Sequence, residues 1–118
     1  MSDFPSITLR VALGPETLLG PGKAALLAGI AETGSIAAAS RRMGMSYKRA
    51  WYLIDTLNSY FREPLVTSSK GGRAGGGATL TDTGRAVLGL YLRIERSAAT
   101  AAAADLHKLA ALSAPAPP

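Results

Sequence analysis

The sequence predicts a mainly α-helical domain with small β elements, on three observations. Two short amphipathic segments, each opened by a serine, meet at Met43-Gly44-Met45-Ser46. A strand, a glycine-rich arm and a second strand follow between Leu65 and Leu80. A stretch of 32 residues, Thr81 to Leu112, then runs without proline. Together these read as a winged helix-turn-helix with a long C-terminal dimerisation helix. Residues 1–19 are an N-terminal strand or hairpin in this reading, 20–80 the winged helix-turn-helix, 81–112 the long helix and 113–118 a disordered tail.

Each element has a local cause. Ile7, Leu9, Val11 and Leu13 alternate with Thr8, Arg10 and Ala12, the period-two pattern of a half-buried strand. Gly14-Pro15 turns the chain, and Thr17-Leu18-Leu19 forms a short return strand. After Gly20-Pro21-Gly22, Leu26, Leu27 and Ile30 fall on one face of a helix that Thr33-Gly34 stops. Ser35 caps the next helix, with Ile36, Ala39 and Met43 facing inward. Gly44 ends that helix with a positive φ, which other residues adopt only at a cost. Ser46 caps a third helix whose inward line is Ala50, Ile54 and Leu57, extended by Phe61 and closed by Pro64. Leu65 to Ser69 is a strand, and Ala78-Thr79-Leu80 pairs back on it. Thr81 caps the last helix, with Asp82 placed favourably for the helix dipole. Pro115, Pro117 and Pro118 forbid its continuation.

Composition narrows the function. The chain has 118 residues, 47% hydrophobic and 18% charged, which is a globular balance and one domain by length. With no cysteine, disulfides, thiolate catalysis and cysteine zinc sites are excluded. His107 alone builds no histidine metal cluster, and it has no nucleophile near it in the sequence. No apolar run approaches a membrane span, and the start lacks the pattern of a secretory signal, so the expected setting is cytoplasmic, with no membrane partner. Asp55 has no carboxylate partner of the acid–base kind, and no enzymatic activity is expected. The glycine-rich arm is not a phosphate-binding P-loop, because no Lys-Ser or Lys-Thr follows its glycines.

Charge location points to a polyanion. Of 13 basic and 8 acidic residues, Arg41, Arg42, Lys48, Arg49, Arg62, Lys70 and Arg73 lie between Ser35 and Arg73, opposed by Asp55 and Glu63 alone. That surplus equals the net charge of +5 for the whole chain. A basic surface binds duplex DNA by releasing counterions from its phosphates. In a helix-turn-helix the first turn of the second helix, here Ser46, Tyr47, Lys48 and Arg49, enters the major groove, where Lys and Arg can donate to guanine O6 and N7. Ser35, Arg41, Arg42 and Tyr52 complete the expected contact set, with Lys70 and Arg73 on the wing. Trp51 faces either DNA or the core, with packing favoured. The long helix exceeds what so small a core can cover, and Leu88, Tyr91, Leu92, Ala99, Ala102, Leu106 and Leu109 are the residues expected to meet a second copy.

Certain motifs also carry a family resemblance. Ala31-Glu32-Thr33-Gly34-Ser35-Ile36, an alanine-rich helix and Gly44-Met45-Ser46-Tyr47-Lys48 resemble the LysR-type winged helix. Ser46-Tyr47-Lys48-Arg49-Ala50-Trp51 with Ile54 and Asn58, and the arm from Gly71 to Thr81 with Gly84, resemble the DNA-binding domain of the ModE family of molybdate-responsive regulators. The resemblance covers roughly residues 20–97. It implies a homodimer on a palindromic operator, with genes for molybdate transport or molybdoenzymes under control. It also implies molybdate-binding β-barrel domains, for which this sequence has no room, so no cofactor is expected in this chain and any molybdate response is expected through a further domain or another protein. A winged-helix protein-interaction module and a small oxyanion-binding protein are the alternatives.

Overall fold

The computed structural model describes residues 4–69 and 77–114. Its elements are β1 (Val11–Ala12), β2 (Leu18–Leu19), α1 (Pro21–Thr33), α2 (Ile36–Arg42), α3 (Tyr47–Tyr60), β3 (Val66–Ser69), β4 (Gly77–Leu80) and α4 (Asp82–Leu112). This is the expected mainly helical winged helix-turn-helix, with two small antiparallel strand pairs. One cluster of buried side chains joins all its parts, from Leu19 through Leu26, Leu27, Ile30, Ile54 and Leu57 to Leu65, Leu80 and Tyr91. The N-terminal hairpin is therefore part of the same core, not a separate unit.

The first strand is shorter than its alternation suggested. Only Val11 and Ala12 pair, with Leu19 and Leu18 respectively. Leu13 turns instead into a bend in which its N–H donates to the Thr17 carbonyl, and its side chain is exposed. The Ile7–Leu9 stretch has no strand partner among the described residues; the Leu9 carbonyl accepts from the Tyr91 hydroxyl at 2.8 Å.

The helix crossings are set by small residues and by two left-handed glycines. A Cβ on Gly29 would lie 3.1 Å from the Ala39 Cβ, so α1 and α2 approach with almost no side chain between them. Gly34 ends α1 with φ 69°, and Gly44 makes the turn between α2 and α3 with φ 68°. At the end of α3 the expectation fails by a few residues. The helix stops at Tyr60, and Phe61 is extended (φ −119°, ψ 165°), half-buried and edge-on to Tyr60. Phe61 thus serves the core from outside the helix, three residues before Pro64.

The long helix is the dominant shape. Its 31 residues span about 46 Å at 1.5 Å per residue. The radius of gyration is 17.0 Å, against about 13–14 Å for a compact chain of this length. The excess is the overhang of α4. Its first turn is capped by Thr81, whose Oγ1 accepts from the Gly84 N–H at 2.9 Å, and Ser113 is its C-terminal cap. The tail expected at 113–118 lies outside the described residues apart from Ser113 and Ala114.

One residue assigned from sequence to a dimer contact belongs elsewhere. Tyr91 is 2% exposed and sits in the core, its hydroxyl bonded to Leu9 and 3.5 Å from the Glu95 carboxylate. Burial, the Glu95 charge and the hydrogen bond to Glu95 all hold its phenol above the ordinary tyrosine value. Leu88 also packs against the subunit's own core. The exposed large apolar residues of α4 are Leu90, Leu92, Ile94, Leu109 and Leu112.

Two glycines of α4 make a sharp contrast. A Cβ on Gly84 would stand 2.1 Å from the Leu65 carbonyl oxygen, whereas one on Gly89 meets nothing within 4 Å. We expect Gly84→Ala to cost about 3 kcal/mol or more, since backbone must move to admit it. Gly89→Ala should instead stabilise by about 0.5–1 kcal/mol through helix propensity. Urea denaturation of the two variants checks the opposite signs. The Tyr91 phenol adds a pH dependence. Its raised folded value means that the neutral phenol's contribution is fully present below the ordinary tyrosine range and is lost as pH rises through the folded value, so denaturation midpoints should fall there, and less so in Tyr91→Phe.

Candidate nucleic-acid interface

The interface is built on two serine caps. Ser35 Oγ accepts from the Ala38 N–H at 3.0 Å, and Ser46 Oγ accepts from the Arg49 N–H at 3.0 Å. Each cap satisfies a donor that the first helical turn otherwise leaves open. Thr33 secures the approach to the first cap, its Oγ1 donating to the Gly29 carbonyl and accepting from the Ser35 N–H. The consequence is a fixed entry angle for α3. Ala50, Ile54 and Leu57 face the core and set the rotation of that helix.

This rotation decides what α3 presents. Lys48, Tyr52, Asp55 and Ser59 lie on its outer side and are exposed. Tyr52 is 61% exposed and Tyr47 53%, a large aromatic area for a chain to leave in water unless a partner meets it. The Arg49 guanidinium stands over the Tyr52 ring, 5.6 Å from its centroid. Trp51 is half-buried, packs against the core and meets Tyr47 edge-on at 6.2 Å between centroids. Packing thus accounts for Trp51, and the exposed side chains of the first two turns are Tyr47, Lys48, Arg49 and Tyr52.

The α2 cations differ from one another. Arg42 is ion-paired to Glu32 on α1, while Arg41 is exposed without an ion-pair partner among the described residues. Both sit in the last turn of α2, where positive charge suits the helix dipole, so Arg42 has a complete structural role.

The wing is anchored at its root. Val66 pairs with Leu80, Thr67 with Thr79, Ser68 with Ala78 and Ser69 with Gly77. Val66, Ala78 and Leu80 are buried beneath it. The Ala78 N–H donates to the Gly34 carbonyl at 3.0 Å, tying β4 to the turn before α2. Lys70 and Arg73 lie outside the described residues.

Asn58 and Gly84 stand in the motifs of the sequence, but nothing local to either gives it a task. Asn58, on the wing side of α3, accepts from the N–H groups of Leu65 and Val66 through Oδ1, at 2.8 and 3.1 Å, and donates from Nδ2 to the Val66 carbonyl at 3.2 Å. It therefore replaces a strand partner for β3 and locks the wing to the recognition helix. Its neutral amide carries both the donor and the acceptor that this fork requires. Gly84 leaves the space that the Leu65 carbonyl fills. Neither pairing has a local signature, because each joins residues at least seven positions apart.

No group of three or more His, Cys, Asp or Glu side chains that could hold a metal occurs among the described residues. No described helix is long and apolar enough to cross a membrane.

Comparison with known proteins agrees with this geometry. The family model described as "Bacterial regulatory helix-turn-helix protein, lysR family" matches residues 23–85. The Molybdenum-pterin-binding protein MopB of Rhodobacter capsulatus is 46% identical over 81 residues, which is 69% of this chain and 30% of that protein. The Molybdenum transport protein ModE of Azotobacter vinelandii is 44% identical over 79 residues, 67% of this chain and 29% of that protein. The DNA-binding transcriptional dual regulator ModE of Escherichia coli (strain K12) is 38% identical over 85 residues, 72% of this chain and 32% of that protein. The matched region thus spans about a third of the length of these relatives.

Asn58→Ala should strand two buried backbone donors and lower stability by about 2–3 kcal/mol, while Asn58→Asp should cost less because it keeps the acceptor. Guanidinium denaturation measures both, and near-equal effects would show that the wing is held by packing instead.

Proposed function

Since the chain belongs to the lysR family of bacterial regulatory helix-turn-helix proteins, we propose that it is a sequence-specific transcriptional regulator that binds duplex DNA as a homodimer on a palindromic operator. The single observation that carries the reading is the outer face of α3. A capped helix with Tyr47, Lys48, Arg49 and Tyr52 projecting from its first two turns has the dimensions and chemistry of a major-groove reader. Lys48 and Arg49 supply donors for guanine O6 and N7. Tyr47 and Tyr52 supply apolar ring area for thymine methyls and hydroxyls for phosphates. Lys70 and Arg73 are assigned to the wing's phosphate contacts, Arg41 to the backbone beside α2, and the caps Ser35 and Ser46 to the helix starts that meet phosphates.

The homodimer reading rests on α4. Leu90 and Ile94 are four residues apart, exposed, and on one face with Ala101. A second copy laid along this face buries them. Leu92, Ala99, Ala102, Leu106 and Leu109 lie round the helix from that stripe; Ala99 and Leu106 also line a hollow against the chain's own Pro5, Ser6 and Ile7. The molybdenum link comes from the relatives' names. On that basis the controlled genes serve molybdenum uptake or use, and an effector, where one acts, is bound by another segment or another protein. No catalytic role is assigned to any residue.

Fluorescence titration tests the DNA reading, using a duplex selected by the chain from a random pool and a scrambled duplex of equal length. The selected duplex should bind more tightly, with affinity falling steeply as salt rises. Lys48→Ala should lose about 1–3 kcal/mol of discrimination. Lys70→Ala and Arg73→Ala should weaken both duplexes alike. Equal, weak, salt-insensitive binding would refute the proposal. In sedimentation, Ile94→Asp should convert dimer to monomer with the fold intact, and an unchanged dimer would exclude the Leu90–Ile94 stripe as its seam.

A further inference from the structure

We infer that Arg10 and Lys23 form a second DNA-backbone contact, beside Arg49 on the flank of α3 away from the wing. This rests on the DNA-binding reading above and extends it to the N-terminal hairpin and α1, outside the α2–α3 pair.

The three cations line one open cavity of about 450 Å³, floored by Leu18, Gly20 and Leu53. No carboxylate lines it. Arg10 lies along Gly20, its Cγ and Nε both 3.4 Å from where a Cβ would stand, so the glycine makes room for the arginine stem. Lys23 is held in place at two points. Its Nζ donates to the Leu18 carbonyl at 3.2 Å and stands 5.4 Å from the centroid of the Tyr60 ring. Arg49 reaches the same cavity from the first turn of α3 and connects it to exposed Tyr52. The ion pairs among the described residues are Arg42–Glu32 and Arg85–Asp82, and neither includes a member of this trio. Three like charges gathered without a counter-charge repel one another, and a polyanion laid across them removes that cost.

The partner follows from the dimensions of the groove. An α-helix with its side chains is about 10–12 Å across, and the major groove of B-DNA is about 12 Å wide. A helix seated there has a phosphate strand on each side. On α3 the side bearing Trp51 and Asn58 adjoins the wing. The side bearing Arg49, Leu53 and Tyr60 adjoins the hairpin and α1. The basic trio therefore stands where the other phosphate strand runs. The cavity is open and cation-lined, which suits a diester backbone passing over it and not an enclosed small ligand.

The test is the salt dependence of binding of the full chain to the two duplexes named above. Arg10→Gln and Lys23→Gln, which keep the stems and remove the charge, should each weaken selected and scrambled duplex by the same factor. Each should also lower the slope of log K against log salt by about 0.9. Lys108→Gln, at the far end of α4, removes equal charge and should leave the slope as it was. Ethylation interference should show one phosphate whose modification weakens the wild type but not Arg10→Gln. Unchanged slopes in both glutamine variants, with Lys48→Ala still losing discrimination, would overturn this contact and leave the regulator reading standing. A wild type that binds no duplex would overturn both. A thermal melt of each variant accompanies the titration, and an altered slope in a variant that still melts as the wild type supports the contact.

Discussion

The backbone of Leu65 is the point on which the architecture turns. Its N–H donates to Asn58 of the recognition helix, and its carbonyl accepts from the Thr81 N–H at 2.9 Å, at the start of the long helix. Its side chain is fully buried. One residue thus joins α3, the wing and α4. The junction is crowded enough that only a glycine at position 84 leaves space for its oxygen. Backbone groups buried so deeply must be paired, and here the partners are fixed side chains and a helix cap, not water.

The surface chemistry inherits its precision from this junction. Base edges are read by side chains placed within fractions of an ångström, which a helix can deliver only if its rotation and entry are settled by packing. For α3 the rotation comes from Ala50, Ile54 and Leu57, and the entry from the left-handed turn at Gly44 and the Ser46 cap. The wing's bearing comes from Asn58 on one side and from the Gly34 carbonyl on the other. Gly34 also ends α1, so one glycine sets both a helix terminus and a strand contact.

What was legible in the sequence was what is local. Ser35, Ser46 and Thr81 declare helix starts because a hydroxyl before a helical run meets N–H groups only two or three residues on. Gly44 declares its turn because its backbone needs a positive φ. The inward lines of α2 and α3 follow from helical spacing. What was not legible depends on distant partners. The alternation at Ile7–Leu13 reads as one strand, yet only Val11 and Ala12 find a partner, since β2 is two residues long. The apolar spacing of Leu88, Tyr91, Leu92 and Ile94 reads as one stripe. The phenol of Tyr91, however, is drawn into the core by a carbonyl 82 positions earlier, while Leu90, Leu92 and Ile94 stay exposed. The gathering of Arg10 and Lys23 beside Arg49 was equally hidden, because charge counted along the chain places those two in flanks that sum to zero.

The same junction couples the two ends of the molecule. The Thr81 hydroxyl donates to the Pro64 carbonyl at 2.7 Å, Thr83 donates to the Glu63 carboxylate at 2.8 Å, and Arg85 donates to the Leu80 carbonyl at 2.9 Å. The first turn of α4 therefore grips the chain on both sides of the wing. A helix held so tightly at its start cannot tilt without carrying the wing and, through Asn58, the recognition helix with it. Packed contacts of this kind move as units, not by continuous bending. In a dimer joined along α4, the separation of the two recognition helices would thus be a property of the helix seam itself. Operator half-site spacing would then be written into the register of α4 on its twin, with the groove-reading residues carried rigidly along.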